Sequence, residues 1–144
     1  MKAVLDTNVI VSAALIARSI PDKVLQAAKR REFDLLTSAT LLDELEDVLE
    51  RGGIAGRLGW SHDERSDFLS GIRERAIVVS PQTEITRITS DPDDNRVLEA
   101  AVEGRDDYIV TGDGHLLDLG RHESTDIVTP ARFLAILTTE ATNP

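Results

Sequence analysis

A short apolar run that ends in a carboxylate occurs twice in this chain, and the repeat limits what the chain can fold into. Near the start, Val4-Leu5 leads into Asp6, and Val9-Ile10-Val11 follows directly after Thr7-Asn8. Late in the chain, Tyr108-Ile109-Val110-Thr111 leads into Gly112-Asp113-Gly114. Each reads as a buried strand with an acid just beyond its C-terminal end. In open α/β sheets the functional crevice lies at that end of the strands. A carboxylate held there must be desolvated, paired or bound to a cation. For Asp113 a plain Gly-Asp-Gly turn is the competing reading.

The rest of the chain alternates in the same way. Phe33–Thr37, Ala76–Val79 and Asp126–Val128 are further short strand candidates. Between them lie helical patterns with recognisable starts: Ser19-Ile20-Pro21, Ser38 before Ala39–Arg51, the capping-box spacing Ser61–Glu64, and Thr129-Pro130. The stretch from Gly52 to Gly59 reads as a glycine-rich connection, and Glu84 to Ser90 fits no element clearly. Alternating strands and helices predict an α/β fold, a three-layer α/β/α arrangement around a mostly parallel central sheet. At 144 residues one domain is expected, spanning 1–138, with a frayed tail at 139–144.

Two more acids fall where helices would aim them at the same sheet edge. In the helix after Ser38, Leu41, Leu42, Leu45, Val48 and Leu49 share one face, and Glu44 and Glu46 flank it. Glu44 is closer to the helix start; a solvated surface charge is its other reading. In Asp91-Pro92-Asp93-Asp94-Asn95, Asp94 projects onto the apolar face of the helix carrying Val97, Leu98 and Ala101, whereas Asp93 lies well off it. Either Asp94 caps free backbone N–H groups or it has a functional role.

Composition narrows the chemistry. There is no cysteine, hence no disulfide, thiolate nucleophile or zinc–thiolate site. No apolar run approaches the ~20 residues of a membrane span, and Asp6 interrupts any signal-peptide core, so no membrane role and a cytoplasmic location are expected. Acidic residues outnumber basic ones 26 to 16, for a net charge of −10. A nucleic-acid partner would ordinarily demand a basic face, unless bound cations neutralise the acids locally. Four carboxylates brought together would repel one another without such cations. Hard oxygen ligands suit Mg²⁺ or Mn²⁺, and a metal-held acidic site suits phosphodiester hydrolysis.

The residues carry a family resemblance as well. Val-Leu-Asp-Thr-Asn-Val at the start, Leu-Asp-Glu-Leu around Glu44, Asp-Pro-Asp-Asp-Asn-Arg-Val-Leu-Glu-Ala-Ala, and Ile-Val-Thr-Gly-Asp-Gly-His-Leu-Leu resemble the four acidic motifs of PIN-domain nucleases, in the family's order and across residues 4–117. They are most similar to VapC-like toxins of bacterial toxin–antitoxin systems. The resemblance implies a metal-dependent endoribonuclease that leaves a 3′-hydroxyl and a 5′-phosphate. It aligns Asp6, Glu44, Asp94 and Asp113 with the catalytic, metal-holding quartet, and Asn8 and Thr111 with its polar supports. It further implies a homodimer and a separately encoded antitoxin partner. Where many relatives carry a further acid, this chain has His115, which leaves open whether one ion or two bind.

Lys29, Arg30, Arg31 and Arg51 are the candidate RNA contacts, with helix-end charge as the plainer reading of the first three. Two rival functions remain. One is a catalytically silent domain of the same fold. The other is a phosphatase using Asp6 as nucleophile, which would need an Asp where Asn8 stands and a later Lys, and no Lys follows Lys29.

Overall fold

The computed structural model describes residues 1–142 and contains one six-stranded sheet. Strands β1 (Lys2–Leu5), β2 (Asp34–Ser38), β3 (Ile77–Val79), β4 (Tyr108–Val110), β5 (Arg121–His122) and β6 (Thr125–Val128) lie in the order β3-β2-β1-β4-β6-β5. All pairings are parallel except the antiparallel β5–β6 hairpin at one edge. Eight helices are found among the described residues: α1 (Thr7–Leu15), α2 (Ile20–Lys29), α3 (Ala39–Glu50), α4 (Gly52–Leu58), α5 (His62–Arg75), α6 (Asp94–Gly104), α7 (Gly114–Leu119) and α8 (Pro130–Thr142).

The period of two along each strand sorts the apolar side chains onto two faces. Ala3, Leu5, Leu35 and Val110 point into one core, with Val11, Leu25, Leu45, Ile72 and Phe133 from α1, α2, α3, α5 and α8. Val4, Leu36 and Ile109 point into the other, with Val97, Leu98 and Leu116 from α6 and α7. The central strands are therefore covered on both sides, as the uninterrupted apolar runs predict. Trp60 packs on Phe68 at the start of α5, with ring centroids 5.0 Å apart.

Local start signals behave as their chemistry dictates. Ser19, Ser38 and Ser61 each accept a backbone N–H of the helix they precede, and Ser61–Glu64 forms a full capping box. Two expectations change, and one short helix is added. Gly52–Leu58 is a helix, not an irregular connection, because none of its glycines needs a left-handed backbone until Gly59 (φ 64°) ends it. Residues 114–119 form a short helix after the Gly-Asp-Gly turn, capped by Asp113. The last helix runs past Leu137 to Thr142, so the expected tail at 139–144 is helical as far as it is described; residues 143–144 lie outside the described residues.

The segment between β3 and α6 has no regular structure, yet it is tied to α6 by side chains. Asn95 accepts from Ile88 N (2.8 Å) and donates to Ile88 O (2.7 Å). Glu99 accepts from Ile85 N at 2.8 Å. These bonds replace the ladder that the backbone of the strap lacks.

Candidate active site

β1 and β4 are neighbours, and the chain leaves β1 to one side for β2 and reaches the other side only with β4. The crevice between their C-terminal ends is the switch point at which such sheets bind ligands. Asp6 continues the β1–β4 ladder, its N–H donating to Val110 O at 3.0 Å, and then caps the α1 backbone. The Asp6 carboxylate is buried at that crevice.

Thr111 ties the two repeats together. Its hydroxyl donates to Asp6 Oδ2 at 2.7 Å and accepts the N–H of Asp113 at 3.0 Å. Asp113 Oδ1 in turn accepts the N–H groups of His115 (2.7 Å) and Leu116 (3.2 Å), which fixes the carboxylate at the start of α7. Asp113 is thus a helix cap as well as a site acid.

Asp94 comes from the first turn of α6 and is buried, 8% exposed. It makes no capping hydrogen bond, and its Oδ2 has no hydrogen-bond partner. Burial, followed by the charges of Asp113, Asp91 and Asp6, pushes its pKa up to about 7, while His115 opposes the rise. Asp6 is also raised, by burial first and then by Asp113, against the pull of the Thr111 hydrogen bond. An orphaned, buried carboxyl oxygen among like charges is costly without a compensating cation.

Glu44 and Glu46, equivalent on the sequence wheel, separate in three dimensions. Glu44 is half-buried, and its Oε2 accepts the hydroxyl of Thr7 at 3.0 Å. Its pKa is raised by burial, with Asp6, Asp93 and Asp91 adding to the rise and Thr7 opposing it. Glu46 is exposed. Among the described residues, no lysine or arginine forms an ion pair with Asp6, Glu44, Asp94 or Asp113.

The basic candidates divide. A groove of about 300 Å³ opens beside Glu44, and Arg51 lines it together with Arg96, Asp47 and Asp93. Lys29, Arg30 and Arg31 are not brought there. They precede β2 and so lie at the N-terminal edge of the sheet, opposite the acids. Arg30 pairs with Glu32, and Lys29 O accepts from Arg75 Nη1 at 2.6 Å. Asn8 is exposed and sits in a small recess with Gly112 and Pro130, whereas its neighbour Thr7 makes the contact to Glu44. Thr7 contacts Glu44 and Arg96 lines the groove although the sequence reading gave neither a role, and Asp93, set aside there as lying off the apolar face, also lines the groove. The available signals were the position of Thr7 directly after Asp6 and the density of acids in 91–94.

The donor set fits a divalent cation. Ligand atoms of Asp94, Asp113 and His115 all lie within 4.8 Å of one another, and Asp94 Oδ2 lacks any other partner. The family model described as PIN domain matches residues 2–115, which includes every acid of this crevice.

The chain belongs to the PIN domain family.

Over 119 residues it is also 28% identical to the uncharacterized protein MJ1680 of Methanocaldococcus jannaschii, covering 83% of this chain and 75% of that protein. Membership in the PIN family suggests nuclease activity, and the fold, with its mostly parallel six-stranded sheet between helices, is that of the family expectation. Among the described residues, no helix is long and apolar enough to cross a membrane.

Proposed function

We propose that this PIN domain is a Mg²⁺- or Mn²⁺-dependent endoribonuclease and the toxin member of a toxin–antitoxin pair. The observation that carries the nuclease reading is the convergence of Asp6, Asp94 and Asp113 on one crevice with Asp94 Oδ2 left unpartnered. The choice of RNA, the antitoxin and a homodimeric state rest on the similarity of the four motifs to VapC-like toxins.

In this reading Asp6, Asp94 and Asp113 would hold the ion, with Glu44 as the fourth acid of the set. When bound, the cation supplies a water acidified toward neutrality and positive charge for the attacked phosphate. Thr111 fixes the orientation of Asp6, and Thr7 that of Glu44. Burial strips competing water from the acids and strengthens their hold on a cation. Glu44, half-buried and held by Thr7, is the carboxylate that would receive a proton from an attacking water if it does not itself bind the ion. Arg51 and Arg96 provide the cationic lining along which a phosphate backbone can run into an otherwise acidic cleft.

The test is incubation of purified protein with end-labelled single-stranded RNA and single-stranded DNA, plus Mg²⁺ or Mn²⁺, with and without chelator. Cleavage of RNA to 3′-hydroxyl and 5′-phosphate ends, lost on chelation, is the expected result. Chelator-insensitive cleavage overturns the metal mechanism. No cleavage with either ion across varied RNAs supports the silent domain. Growth arrest on expression of the wild type but not of Asp6→Asn tests the toxin role.

A further inference from the structure

His115 stands against the acidic crevice in an arrangement that hydrogen bonding does not explain. Its Nδ1 lies 3.9 Å from Asp94 Oδ2 and 3.7 Å from Asp113 Oδ1. Both distances are too long for a hydrogen bond. Ligand atoms about 2.1 Å from one octahedral centre lie about 3.0 Å apart when adjacent and about 4.2 Å when opposite, so the ring stands within about 1 Å of an adjacent-ligand position and a side-chain rotation would bring it there. The ligand atoms of all three residues are mutually within 4.8 Å.

A second observation is independent of the cluster itself. The Asp94 side chain is 11% exposed, and its Oδ2, the oxygen facing His115, is itself buried with no hydrogen-bond partner. Buried carboxylate oxygens are rarely left so, because desolvation is then uncompensated. The backbone of His115 is held by its N–H bond to Asp113 Oδ1 at 2.7 Å, so the ring needs only side-chain rotation to adjust. The side chain is 54% exposed, which leaves a path for an ion to enter.

We propose that His115 contributes a ring nitrogen to the metal site, making it a mixed nitrogen–oxygen site that favours Mn²⁺ over Mg²⁺. This rests on the reading of the crevice as a metal-dependent nuclease site. An all-carboxylate site would treat the two hard ions more evenly, whereas imidazole nitrogen prefers transition ions.

Metal binding, read without reference to turnover, tests it. Metal-free wild type, His115→Gln and Asp94→Asn are titrated with Mn²⁺ followed by electron paramagnetic resonance, with Mg²⁺ as competitor. Pulsed measurements on the Mn²⁺ complex then look for coupling to a directly bound nitrogen. Wild type should show that coupling. His115→Gln should lose it and bind Mn²⁺ more weakly by at least the ~10–100-fold lost with residues that only orient ligands, with Mg²⁺ affinity nearly unchanged. His115→Gln removes no core contact, and circular dichroism verifies its fold. If wild type binds Mn²⁺ without nitrogen coupling and His115→Gln binds equally well, the His115 proposal is overturned and the carboxylate site stands. If wild type binds no Mn²⁺ and no Mg²⁺, the nuclease reading falls, and the proposal with it.

Discussion

The hydroxyl of Thr111 donates to Asp6 Oδ2 at 2.7 Å while accepting the backbone N–H of Asp113 at 3.0 Å. One fully buried hydroxyl therefore couples the acid after β1 to the acid after β4. Thr111→Val removes both bonds without changing shape. It should lower divalent-ion affinity by ~10–100-fold and stability by about 1–3 kcal/mol. Thr111→Ser should recover most of the affinity. Calorimetric titration with Mn²⁺ and denaturant melts read the two effects separately.

Asp94→Asn and Asp6→Asn should each abolish RNA cleavage, a loss beyond the ~10–100-fold typical of residues that only orient ligands. Neither should lower the melting temperature of the metal-free protein, because each removes a buried like charge from the crevice. A variant that keeps wild-type turnover shows that its residue does not serve the reaction.

Glu44→Gln should cut turnover sharply, and Glu46→Gln should leave it within about twofold, since surface substitutions far from a site act weakly. The contrast follows from the Thr7–Glu44 hydrogen bond and the exposed position of Glu46. Single-turnover cleavage rates measured side by side decide it.

Asp106 is a carboxylate that no ligand explains. It is 1% exposed at the entry to β4, and neither oxygen has a hydrogen-bond partner. Burial pushes its pKa up to about 7, with Lys2 opposing the rise and Asp107 adding to it. In the unfolded chain the group loses its proton near pH 4. Between those values the folded state binds the extra proton, so stability falls as pH rises from about 4 to about 7 and levels off above. The loss has an upper bound of roughly 4 kcal/mol, three units at 1.4 each. Asp106→Asn should flatten this part of the profile and be more stable than wild type at pH 8. Urea midpoints at several pH values, in chelator to remove metal effects, measure the difference.

Two helical glycines should respond oppositely to alanine. A Cβ on Gly104 would overlap Leu36 Cδ2 and come within 2.5 Å of Asp106 Oδ1, so Gly104→Ala should destabilise by about 1–3 kcal/mol. A Cβ on Gly71, inside α5, meets nothing within 4 Å, so Gly71→Ala should stabilise by about 0.5–1 kcal/mol. Thermal melts of both variants give the signs.

The sequence by itself determined the alternation of strands and helices, the strand ends that carry Asp6 and Asp113, and the serine caps at 19, 38 and 61. These follow from apolar periodicity and from bonds between residues close in the chain, which need no knowledge of the fold. The tertiary structure alone decided which edge acid meets the crevice, because Glu44 and Glu46 differ only in what packs beside α3. It also decided that Lys29–Arg31 lie at the far end of the sheet, that Asp94 is unpartnered and not a cap, and that His115 faces it. Those outcomes depend on contacts between residues far apart in sequence, where a helix turned by one residue or a strand shifted by one place would exchange one side chain for another.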